Sequence, residues 1–243
     1  MRVILLLILV VLRAPANAHS YPATTDAFDA TCRAAMARYY AALLTSVHGD
    51  SEATLRQLLL LRARWEEVAR LSKSGGPEWT QDATAGQAPV AAVTAMIERA
   101  RQRTAAGDVA GAHAELEGIR AVLRDVRARH GVRTFDDVLT DYHDAMERLT
   151  SRVGLRNEIA LDAGDYGAIR EQTSRAGAAW TEMKTIAGPV NKRPGWDDMA
   201  TRTTAALATL QKAAAAQDAA AAQGAAAALK THYFELLRIL SRG

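Results

Sequence analysis

Two tandem up-down-up-down four-helix bundles, all-α throughout, are the architecture this sequence predicts. Three observations carry that reading. Apolar residues recur at helical spacing along most of the chain, alternating apolar–polar runs are absent, and one set of landmark residues appears twice in the same order. After Phe135, for example, apolar side chains fall at Leu139, Tyr142, Met146, Leu149 and Val153, which is one stripe of a helix.

The repeat reads Met36, Trp65, Trp79, Asp108 and then Met146, Trp180, Trp196, Asp218. Its intervals are 29, 14 and 29 residues in the first copy and 34, 16 and 22 in the second. Unequal intervals fit loops, where changes of length are tolerated. Proline precedes the later tryptophan in both copies, at Pro77 and Pro194. The spacing predicts helices near 26–47, 51–72, 88–106 and 108–130, then near 135–153, 165–187, 197–216 and 218–241. Each quartet is expected to bury its own apolar seam. Thr134, three residues before Asp137, suits a helix start, and Gly131 suits the preceding helix end. The alanine runs 213–216 and 219–222 read as helices that pack closely, because alanine favours helix and its small side chain permits near approach.

The first eighteen residues read as a secretory signal peptide. Arg2 precedes the apolar run from Val3 to Leu12, and Ala16-Asn17-Ala18 supplies a small-residue cleavage site. The run is shorter than the roughly 17–25 residues that span a bilayer. The domains are therefore expected to be 1–18, leader; 19–131, first bundle; and 132–243, second bundle. The mature chain is expected to be soluble, in the periplasm or secreted, with no transmembrane segment. Cleavage would remove Arg2 and Arg13 and leave 28 basic against 27 acidic residues. That near balance argues against binding nucleic acid, which needs a concentrated basic face. Cys32 is the single cysteine, so no internal disulfide can form.

The segments 107–117 and 222–231 resemble the last two helices of the soluble periplasmic cytochrome b-562 family, each with a short break followed by an Ala-rich helix. The resemblance covers about the last third of each copy. It implies a four-helix bundle that holds haem between a methionine of the first helix and a histidine late in the fourth. Met36 and Met146 match the methionine in kind. The histidine position falls near Arg127 in one copy and Leu237 in the other, with His130 and His232 about a turn or more away.

Candidate site residues follow from chemistry. His143 and Met146, and Cys32 and Met36, are pairs that share a helix face, and imidazole, thioether and thiol suit copper. Core packing is the competing reading, since Met146 continues an apolar stripe. His19 would head the mature chain, where an amine and an imidazole together can chelate copper. Asp136, Asp137, Asp141 and Asp144 read as acids favouring a helix N-terminus and then solvent. Arg120, Arg124 and Arg127 read as a solvated face or a dock for an acidic partner. Trp65, Trp79, Trp180 and Trp196 either seal each bundle or line a ligand cleft. Phosphate loops, nucleophile elbows and His-Glu-x-x-His are missing. The expected role is non-catalytic binding of a periplasmic protein, small ligand or metal, at the tryptophans or a groove between bundles. The alternative is a haem- or copper-binding carrier using His19, Met36, His143, Met146 or His232.

Overall fold

A computed structural model of the chain describes residues 23–74, 76, 87–154 and 161–242. The leader, His19 and Trp79 lie outside the described residues. Within them, all regular structure is helical: α1 (Ala23–Val47), α2 (Ser51–Ser74), α3 (Gln87–Ala105), α4 (Val109–Arg129), α5 (Phe135–Gly154), α6 (Ala163–Ile186), a 3-10 turn (Gly188–Lys192), α7 (Trp196–Ala216) and α8 (Ala219–Ser241). No described helix is long and apolar enough to cross a membrane.

Short-range chemistry explains the helix ends. Asp108 caps α4 by accepting from the Gly111 N–H at 2.8 Å, and Asp218 caps α8 by accepting from Ala221 at 3.0 Å. The residue before each aspartate is left-handed, Gly107 at φ +83° and Gln217 at φ +55°. Glycine takes that conformation freely, whereas Gln217 takes it under the pull of the turn. Asp162 and Asp165 form a reciprocal capping box at the start of α6.

Packing follows the chain. α1 packs on α2, α2 on α3, α3 on α4 and α4 back on α1; α5, α6, α7 and α8 close a second cycle in the same way. The alanine runs lie inside helices. Ala213, Ala214, Ala222, Ala225 and Ala226 are buried where α7 and α8 pack on each other and on their neighbours.

The expectation of separate seams is corrected here. α1 also packs on α8, and α4 on α5, so the buried side chains form one continuous cluster from Phe28 to Leu240. The reason is aromatic bulk at the crossing, where Tyr39, Tyr40, Tyr142 and Tyr233 are all buried.

The arginine line is corrected, and the aspartate cluster in part. Asp136 and Asp137 do fall in the first turn of α5, and Arg124, Asp141 and Asp144 stay partly exposed, but the two charge runs pair with each other instead of turning wholly to solvent. Arg127 grips Asp137 through Nε and Nη2, with contacts of 2.6–3.0 Å, and Asp137 is 2% exposed. Arg124 reaches Asp141 at 3.2 Å and Asp144 at 3.4 Å. Arg120, 6% exposed, hydrogen-bonds Glu117 and Tyr233. Asp136 accepts from the Tyr40 hydroxyl of α1. The two charge runs face each other because the turn at Gly131 (φ +67°) folds α5 back along α4. Asp137 Oδ2 also accepts from the Thr134 N–H and hydroxyl, both at 2.8 Å, so the turn and the ion pair share one carboxylate.

Candidate functional site

Where α1, α4, α5 and α8 meet lies a part-open cavity of about 260 Å³. α1 contributes Leu43 and Val47; α4, His113 and Glu117; α5, His143 and Glu147; α8, Lys230, Tyr233, Phe234 and Leu237. A second cavity of about 410 Å³ continues between α5 and α8 past Thr150, Ser151, Gln223, Ala226 and Ala227. The two share Glu147 and Lys230. Alanine is what leaves that second space open, since it carries no side chain beyond Cβ.

The polar side chains are positioned one by one. His113 Nδ1 lies 2.8 Å from Ser46 Oγ, and its Nε2 lies 3.5 Å from Glu117 Oε1. Burial lowers the His113 pKa, so the ring is neutral near pH 7. Arg120 secures Glu117 from behind and donates to Tyr233 Oη at 2.7 Å. Tyr233 lies against the His143 ring, with centroids 4.9 Å apart. His143 Nε2 is 3.9 Å from Glu147 Oε1, and Lys230 Nζ is 3.3 Å from the same oxygen. Burial raises the Tyr233 pKa, which keeps the phenol protonated.

Ser46, His113 and Glu117 form a chain of the kind that activates a serine. Its geometry serves another purpose. Ser46 is 4% exposed and donates to Leu43 O at 2.9 Å, so its hydroxyl accepts from His113 rather than giving up a proton. The serine fixes the tautomer and the direction of the ring.

The residues singled out from sequence are dispersed. His143 lines the junction cavity. Met146, one turn further along α5, is fully buried in the core. Met36 packs against the core from α1. Cys32 is a poor thiolate donor, because burial and then Asp29 push its thiol up to about 12. His232 is buried on α8, and its Nδ1 has no hydrogen-bond partner among the described residues. Within the described residues, no three His, Cys, Asp or Glu side chains are gathered to hold a metal ion. The resemblance to the cytochrome b-562 family assigns a histidine to two positions where this chain has other residues. Arg127 stands at one histidine position and is held by Asp137, and buried Leu237 stands at the other.

The described tryptophans are core residues. Trp65 of α2 donates to Val90 O of α3 at 3.2 Å, and Trp180 of α6 donates to Thr204 Oγ1 of α7 at 3.0 Å. Trp196 stacks on Trp180 with centroids 6.0 Å apart. Neither cavity is lined by a described tryptophan.

Sequence reasoning missed Ser46, Glu147, Lys230, Tyr233 and Phe234, and it set His113 and Glu117 aside because they lack the Glu-x-x-His pattern of di-iron bundles. One signal was present: His113/Glu117 and His143/Glu147 are both i, i+4 pairs on adjoining helices. Comparison with known protein families, with curated proteins and with solved structures gives no match.

Proposed function

We propose that this chain is an exported, non-catalytic binding protein made of two duplicated helix quartets fused along α1 and α8. Its ligand seat is the cavity where the quartets meet. The cavity itself carries the reading: two helices from each cycle converge on it, and its lining sets apolar and aromatic side chains beside His113, Glu117, His143, Glu147 and Lys230. Duplication is supported by matched details. In each half, a tryptophan of the second helix bonds to the third helix, and an aspartate after a left-handed residue caps the fourth. Export is supported by the basic start, apolar run and Ala-x-Ala end of residues 1–18.

The test is expression of the whole chain, leader included, in a bacterium with two membranes, followed by fractionation and native mass spectrometry. Val47 sits at the cavity rim and is 39% exposed, so Val47→Trp can fill the cavity without disturbing the core. The expected result is a processed periplasmic protein that carries a small-molecule mass absent from Val47→Trp. Cytoplasmic retention would reject export, and a ligand indifferent to Val47→Trp would reject the seat.

A further inference from the structure

The charges around the junction cavity are answered unequally, and the inequality points to a ligand class. Glu117 is held by Arg120, a buried cation that cannot leave. Among the described residues, the cation within hydrogen-bond range of Glu147 is Lys230, at 3.3 Å, with 42% of the lysine side chain exposed. Exposed ion pairs are weak, since water solvates both partners almost as well. Lys230 can swing into solvent at little cost, and Glu147 then needs another cation. Neither imidazole stands in: the His143 ring is 3.9 Å from Glu147, beyond hydrogen-bond range, and the half-buried His113 is directed to Ser46. The wall beside Glu147 is aromatic, formed by Tyr233 and Phe234, whose centroids are 6.1 Å apart. A carboxylate next to aromatic faces is the combination that attracts an organic cation.

We propose that the junction cavity is a seat for a small primary-amine cation, an alkyl- or arylalkyl-ammonium, with Glu147 as its counter-ion and Tyr233 and Phe234 as its wall. The inference rests on the cavity being the ligand seat and adds the chemistry of the occupant. Lys230 is the built-in competitor: its ammonium holds the place that the ligand takes. At about 260 Å³, the space falls just below the range typical of drug-sized ligands, roughly 300–1,000 Å³, and suits a short amine.

The experiment is calorimetric titration of the full-length protein with 1,4-diaminobutane, 2-phenylethylamine and, as the anionic arm, 3-phenylpropionate, at pH 7.5 and low salt. Lys230→Met should tighten amine binding about three- to tenfold, and Glu147→Gln should weaken it about tenfold or more. Glu171→Gln, at an exposed position of α6 away from the cavity, should change nothing. Glu147 and Lys230 both reach solvent, so the variants keep the fold, checked by circular dichroism. Phenylpropionate that binds wild type and loses affinity in Lys230→Met would overturn the proposal. So would amines that bind neither wild type nor Lys230→Met. If native mass spectrometry still finds a cavity ligand sensitive to Val47→Trp, the amine class has failed while the seat stands.

Discussion

Arg120 of α4 donates a 2.7 Å hydrogen bond to the hydroxyl of Tyr233 of α8, across 113 residues of sequence. The same guanidinium holds Glu117. One buried side chain therefore ties the first half of the molecule to the second and fixes two walls of the junction cavity. Burial opposes a cation there, but the Glu117 carboxylate and the hydrogen bond to the neutral Tyr233 hydroxyl offset it, so Arg120 stays charged.

Removing either partner should expose that dependence. Arg120→Met is expected to cost about 2–3 kcal/mol, less than the ~3–5 kcal/mol of a fully buried pair, because Glu117 can still reach water. Tyr233→Phe removes only the acceptor and is expected to cost about 1–3 kcal/mol. Urea unfolding measures both. Because the two side chains share one bond, the double variant should cost less than the sum of the singles. Simple additivity would show that the bond does not couple the halves.

The α4–α5 turn makes a contrast between neighbouring acids. Asp137 is clamped by Arg127, itself well buried, so Asp137→Asn should strand that cation and destabilise by about 3–5 kcal/mol. Asp136 behaves in the opposite sense. Burial raises its pKa, outweighing the pull of the Tyr40 hydrogen bond and Arg127. A raised acid favours the folded state below its ordinary value of 3.8 and loses that contribution as pH rises through the native value. Asp136→Asn, which keeps an acceptor for Tyr40, should therefore be neutral or stabilising at pH 7. A large loss of stability at pH 7 in Asp136→Asn would contradict this account.

These pairs also show what could be read in advance. The stripe from Leu139 to Val153 has one period, so α5 was legible, and Asp108 and Asp218 marked two helix starts. The partner of Arg127 was not. A charged residue at helical spacing looks the same whether it faces water or another helix, and only the turn at Gly131 decides which. The cavity was hidden for the same reason: its lining comes from four helices, and Tyr233 and Leu237 look like ordinary core residues in sequence. Continuity of the core was equally unreadable, because nothing in the spacing says that α1 meets α8.

The alanine runs can be tested position by position. Ala222 is fully buried on α8, and Ala220, two residues earlier, is exposed. If these helices are close because alanine lets them be close, Ala222→Leu should cost about 1–3 kcal/mol through overpacking. Ala220→Leu should lie within about 0.5 kcal/mol of wild type, as surface substitutions usually do. Thermal unfolding of the two variants decides it, and equal stability would mean that α8 has room against its neighbours.

Stability should also fall on mild acidification, for a reason that can be assigned. Burial lowers the pKa of both His113 and His232 below the ordinary 6.5. Between 6.5 and those lower native values, the unfolded chain binds protons that the folded chain refuses. Stability is therefore complete above pH 6.5 and drains away as pH falls through the native values. His232 also carries a buried Nδ1 without a partner among the described residues, so His232→Leu should be neutral or stabilise by about 1 kcal/mol at pH 7. Combining it with His113→Gln should flatten the urea midpoint between pH 7.5 and pH 5.5. The window lies well above the ordinary carboxylate range, so a slope that persists in the double variant would have to come from groups other than these two imidazoles.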